Sequence, residues 1–233
     1  MERKIILYES QLQGIIFENE IEEMAYPSSF NWNEFANITN IKDRIRYCSQ
    51  RLKILGTGSS RRAYKVDDEK VLKIAINRKG LAQNEQECDG GYSNIAVLPH
   101  VYNFDDEHYT WIETEIARKA VPSDFQKYVG YPMETVFNGL KQYEQEYNPH
   151  WQNGKLVKNQ YVSKDLYQEM WDNEWMMEMF EYLGNYQHPL AEILRLEHYG
   201  VVKRNGKPCL ILIDAGLNED IWNSFYSRPR FQI

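Results

Sequence analysis

Apolar and polar positions change period along this chain. Over residues 41–52, Ile41, Ile45 and Cys48 recur at helical spacing, Leu52 follows one turn on, and Asn40 stands where an N-cap belongs, which predicts a short helix. From Arg51 the apolar runs shorten. RLKIL at 51–55 reads as a strand, Arg62 to Val66 as a second and Lys70 to Ile76 as a third. The turn-rich Gly56-Thr57-Gly58-Ser59-Ser60 and the polar Asp67-Asp68-Glu69 separate them, as expected of a meander. Leu81 to Asp89 reads as a helix stopped by Gly90-Gly91. Ile95 to Phe104, interrupted by Pro99, and Tyr109 to Ala117 read as two further strands joined through Asp105-Asp106-Glu107. Beyond residue 118 the pattern is helical, with Trp171, Trp175, Met179 and Leu183 forming one i, i+4 stripe that predicts core packing. Tyr199 to Lys203 and Cys209 to Ile213 flank an Asn205-Gly206 turn, a strong hairpin signal, and a helix over Leu217 to Tyr226 closes the chain.

Composition narrows the class. The 233 residues suffice for one large domain or two small lobes. At 42% hydrophobic and 26% charged the chain reads as soluble and globular. A net charge of −7 argues against nucleic acid and anionic membranes as partners. Three scattered cysteines, Cys48, Cys88 and Cys209, fit neither a disulfide framework nor a zinc site, and point to a reducing cytoplasm. No long apolar run follows Met1-Glu2-Arg3-Lys4, so neither a signal peptide nor a membrane span is expected.

Four places carry candidate chemistry. Gly56-Thr57-Gly58-Ser59-Ser60-Arg61 lies between two strands, where glycines let backbone N–H groups approach a phosphate chain; a plain hairpin would use glycines too. Lys73, within Val71-Leu72-Lys73-Ile74-Ala75, is a charge in an apolar strand, which calls for a partner or a solvent face. Glu85 and Glu87, on the following helix, could each reach back to it. Asp214 ends the apolar run Leu210-Ile211-Leu212-Ile213 and precedes Ala215-Gly216, a way to present a magnesium ligand or to cap the last helix.

The order of these elements resembles the protein kinase family, with its Gly-rich loop, third-strand Lys, helix Glu and Asp-Phe-Gly. The segments GTGSSRRAYKVDDEKVLKIA and LIDAGL are similar to uncharacterised kinase-like proteins of tailed bacteriophages. The resemblance implies an α+β, two-lobed fold: an N-terminal helical extension over 1–50, a small sheet lobe over 51–117 and a helical large lobe over 118–233. It implies ATP and magnesium as cofactors, with 56–61 over the phosphates, Lys73 on phosphate oxygens and Asp214 on the metal. Glu115 and Ala117 would offer hinge backbone to an adenine ring. The acceptor would be a small molecule or a protein, such as one of a bacterial host.

Departures from the family pattern are specific. Arg61 replaces the third glycine, Ala215 replaces Phe, and no His-Arg-Asp loop precedes the hairpin. In Ala191 to Gly200, Glu192 is the nearest stand-in for the base, and His198 sits where an Asn would help hold a second metal. Those losses leave a catalytically inactive, nucleotide-binding or purely protein-binding pseudokinase as the rival expectation. No Walker pattern, nucleophile elbow or H-E-x-x-H occurs.

Overall fold

A computed structural model describes residues 27, 29–89, 95–149, 151–152, 155–156 and 158–226. The chain has the mixed α+β architecture expected: a small antiparallel sheet bearing helices, and a larger helical part.

Two short helices come first, α1 (Trp32–Ala36) and α2 (Ile41–Arg51). Asn40 caps α2 by accepting from the Lys42 and Asp43 N–H groups. The helix runs through Arg51, so the first strand, β1 (Lys53–Thr57), starts two residues later than RLKIL suggests. Leu52 is turned into the core instead, 6% exposed. Then come β2 (Arg61–Lys65), β3 (Lys70–Ala75), α3 (Arg78–Cys88), β4 (Val101–Phe104) and β5 (Trp111–Glu115). Asn77 caps α3 through Lys79 N and Gly80 N, three residues ahead of the expected start; Gly90 and Gly91 lie outside the described residues. Residues 95–100 are turn and loop, so Pro99 ends the apolar run rather than interrupting a strand.

The five strands order as β1-β2-β3-β5-β4, all antiparallel. Alternation along β3 decides what each face holds. Leu72 and Ile74, fully buried, join Tyr64, Trp111, Phe35, Tyr47 and Cys48 in one cluster, so α1 and α2 cover that face. Lys73 points the other way, toward α3.

The larger part holds β6 (Arg118–Lys119), α4 (Pro122–Tyr128), α5 (Met133–Tyr147), β7 (Trp151–Gln152), β8 (Lys155–Leu156), α6 (Lys164–Trp171), α7 (Glu174–Tyr186) and α8 (Leu190–Ile193). The hairpin β9 (Tyr199–Arg204) and β10 (Lys207–Leu212) follows, then α9 (Glu219–Phe225). Phe125, Leu140, Met170, Met179, Phe180, Tyr199 and Leu212 are central to its core. The tryptophan stripe belongs to two helices, not one: Trp171 ends α6, and Asn173 caps α7 by accepting from Met176 N. The β9–β10 turn is as expected, with Asn205 at φ 50° and Gly206 at φ 77°.

Candidate functional site: an ion cluster between sheet, helix and hairpin

β3, α3 and the loop after β10 meet at one point. Lys73 Nζ donates to Glu87 Oε2 at 2.8 Å and to the Ile213 carbonyl at 3.3 Å. Asp214 is the next residue. Lys73 and Asp214, 141 positions apart in sequence, are therefore brought close together.

The glutamate is Glu87; Glu85 is exposed. Gly80, Gln83, Asn84 and Glu87 form the buried face of α3 at helical spacing. Glu87 is 3% exposed, and its other oxygen accepts from Arg61 Nη1 at 2.6 Å. Arg61 Nη2 donates to Asp214 Oδ1 at 2.7 Å. One guanidinium thus bridges the two carboxylates. Burial pushes the Glu87 carboxyl up, but Arg61 and then Lys73 outweigh it and hold the group below the usual carboxylate range. Asp214 behaves alike, with burial opposed first by Arg61 and then by Lys73. The Asp214 side chain keeps 45% of its surface open, against 10% for Arg61 and 13% for Lys73.

Gly216 lets this loop reach α3. A Cβ there would stand 2.5 Å from the Gln83 carbonyl oxygen and 2.9 Å from Glu87 Oε1. Further contacts hold the approach: Asn218 Nδ2 donates to Gln86 Oε1, and Gln83 Nε2 to the Tyr226 hydroxyl.

The glycine segment is a tight hairpin, Gly58 N donating to the Arg61 carbonyl at 2.9 Å. Gly56, Thr57, Gly58 and Ser59 are exposed. Ser60 is buried and donates to Gln83 Oε1 on α3, so its hydroxyl serves the sheet–helix contact. A Cβ on Gly56 would meet nothing within 4 Å, which leaves that backbone open to approach.

At the expected hinge, Glu115 is 8% exposed and forms a two-bond pair with Arg204, at 2.6 and 2.9 Å. The N–H groups of Glu115 and Ile116 donate to the carbonyls of His100 and Glu69. Ala117 lines a surface pocket with Ile116, Arg118, Tyr128, Val201 and Val202.

Glu192, on α8, stands 3.3 Å from Arg195 Nη1 and 3.7 Å from His198 Nε2. His198 Nδ1 is buried without a partner among the described residues. His198 faces Glu192 rather than sharing a ligand set with Asp214, and no group of three or more metal-ligating side chains occurs among the described residues. Magnesium favours oxygen donors, and Asp214 already has its Oδ1 on a guanidinium. As arranged, these side chains do not fit a bound magnesium.

His188 is a site residue that its sequence context leaves unmarked. It is 3% exposed, its Nδ1 lies 2.8 Å from the Tyr182 hydroxyl, and that hydroxyl donates to the Ala215 carbonyl at 3.0 Å. The pair pins the loop that carries Asp214. Burial pushes the His188 pKa down to about 4, so the ring is neutral.

Among the described residues, no helix is long and apolar enough to cross a membrane. No protein-family model matches the chain, and no curated protein matches it. Solved structures of aminoglycoside phosphotransferases are similar to it. The streptomycin–ATP ternary complex of APH(2")-IIa is 13% identical over 77% of this chain and 72% of that one, at a TM-score of 0.30. ADP-bound APH(2'')-Ib is 13% identical over 78% and 73%, at 0.31, and the gentamicin complex of APH(2")-IIa is 12% identical over 91% and 71%, at 0.31.

Proposed function

We propose that this is a kinase-like protein that binds a nucleoside triphosphate at the crevice between Lys73 and Asp214 and transfers its terminal phosphoryl group to a hydroxyl acceptor. One observation carries the reading: the Lys73–Glu87 ion pair at 2.8 Å, with Lys73 Nζ 3.3 Å from the carbonyl that precedes Asp214. A buried carboxylate fixes the direction of the ammonium, which suits it to orient phosphate oxygens without reorganising. The exposed glycine hairpin, with open space at Gly56, leaves room for a phosphate chain to approach. Glu192 is the group that would accept the hydroxyl proton. The division into an extension over 1–50, a small lobe over 51–117 and a large lobe over 118–233 belongs to the same reading. The likeness of the glycine-loop and LIDAGL segments to bacteriophage proteins supports an acceptor in a bacterial host cytoplasm, either a protein or a small molecule.

A second reading, nucleotide binding without transfer, is favoured by a separate observation. Both Asp214 and Glu192 are already engaged by arginines, Arg61 and Arg195. One experiment decides between them. The purified chain is incubated with labelled ATP and candidate host extracts, with and without magnesium. Transfer that disappears in both Asp214→Ala and Glu192→Gln establishes the enzyme. Thermal stabilisation by ATP without transfer, lost in Lys73→Ala, establishes the binding module. No stabilisation by any nucleotide rejects both.

A further inference from the structure

The charges in the crevice cancel. Lys73 and Arg61 bring two positive charges, Glu87 and Asp214 two negative ones, all linked by contacts of 2.6–2.8 Å. In an arrangement with Lys73 and Glu87 alone, Asp214 would be left over, and its charge would call for a cation. Here Arg61 supplies that cation from the chain itself. A guanidinium stays charged at any working pH and presents a planar fork of donors, so one group spans two carboxylates. Its position is over-determined. Arg61 opens β2, its backbone pairs with Ala75 and its carbonyl accepts from Gly58 N, so the end of the glycine hairpin is what places the side chain. Arg61 takes Asp214 Oδ1, so a divalent ion on the other carboxylate oxygen would stand beside this guanidinium and the nearby Lys73 ammonium, a like-charge arrangement that low dielectric makes costly.

The geometry points to Arg61 as a built-in replacement for the divalent cation at Asp214, so that this crevice takes the phosphate chain of a nucleotide without a metal ion. The inference rests on the nucleotide reading above and adds the ion requirement to it. The phosphates are met by Lys73 and by the remaining donors of Arg61, its Nε–H and the second Nη2 hydrogen, which no acceptor among the described residues takes. Asp214 then positions Arg61 rather than a metal.

The test is ATP binding to the full chain by calorimetry, in excess magnesium chloride and again in excess EDTA. Wild-type dissociation constants should agree within about twofold, whereas Arg61→Ala, which uncovers Asp214, should bind about tenfold or more tightly in magnesium than in EDTA. Wild-type binding that needs magnesium by about tenfold overturns this inference and leaves the nucleotide reading standing. Metal-independent binding in both proteins overturns the assignment to Arg61. No binding in any condition overturns the nucleotide reading and this inference together. The wild-type comparison decides the ion requirement even where Arg61→Ala fails to fold, and Arg61→Lys, which keeps the charge, should keep the wild-type independence of magnesium.

Discussion

Arg61 Nη2 lies 2.7 Å from Asp214 Oδ1, closing a contact between residues 153 positions apart. The same side chain reaches Glu87 at 2.6 Å, so one guanidinium ties the start of β2, the buried face of α3 and the loop after β10. This junction is polar. What holds it is charge in a poorly hydrated place, where removing one partner costs far more than the intact cluster gains.

Glu87 is the member whose loss should be felt most. Glu87→Gln leaves Lys73 and Arg61 beside a neutral amide, and loss of a buried ion-pair partner costs about 3–5 kcal/mol. Glu85 points to solvent on the same helix, and Glu85→Gln should stay within about 0.5 kcal/mol of wild type. Denaturant unfolding of both variants measures the contrast. Equal effects would show that the two carboxylates are interchangeable and that Lys73 is not held by Glu87.

Gly216→Ala tests the close approach of this loop to α3. The added methyl would lie 2.5 Å from the Gln83 carbonyl oxygen, so the loop or α3 must shift. Overpacking of this kind costs about 1–3 kcal/mol. Because the loop carries Asp214, ATP affinity should fall in the same variant. A Gly216→Ala protein with wild-type stability and affinity would mean that the loop does not bear on α3.

Much of the fold is legible from single residues. Asn40 announces its helix by cap chemistry, and Asn205-Gly206 announces the β9–β10 turn by its demand for positive φ. Lys73 stands out because the charge interrupts an apolar strand. The choice between Glu85 and Glu87 is harder to read. The buried face of α3 is Gly80, Gln83, Asn84 and Glu87, and a buried stripe made of polar residues leaves no hydrophobic period. The Trp171–Leu183 stripe does mark core packing, with Met179 and Leu183 buried and Trp171 and Trp175 packed against the same core, but it hides a break between two helices. Its spacing is unbroken, but the backbone turns at Asn173, whose side chain accepts from Met176 N and donates to the Val129 carbonyl. Arg61 marks a limit of local reading. The sequence shows only an arginine at the end of the glycine segment, while the partners that give it a role lie on α3 and beyond β10.

The first helices are part of the small sheet's stability. Phe35 is fully buried, with its ring 5.4 Å from Phe30, 5.2 Å from Trp32 and 5.7 Å from Trp111. Phe35→Ala should cost about 3–5 kcal/mol, the usual range for a truncated core aromatic. At the size of this chain each kcal/mol lowers Tm by about 2–4 °C, so calorimetry should show a large drop. A drop within error would mean that α1 and α2 dock loosely on the sheet.

His188 gives the protein a pH dependence distinct from that of its carboxylates. Buried beside Tyr182, its folded pKa is pushed down to about 4, while the unfolded chain titrates near 6.5. Above pH 6.5 both states are neutral and the residue contributes nothing to the slope. Between 6.5 and 4 the unfolded chain takes up a proton that the folded one refuses, so stability falls with pH, by about 3 kcal/mol in all. His100, lowered by burial and by Arg204, adds a fall in the same direction. Glu87 and Asp214 act elsewhere. Their folded values lie below the usual carboxylate range, so their contribution is complete above the unfolded pKa of about 4 and is lost only as pH drops further. Urea unfolding in steps from pH 7.5 to 3 resolves the two windows. His188→Asn should flatten most of the upper window and leave the acid limb unchanged. An unaltered slope between pH 6.5 and 4 in that variant would place the uptake on another group.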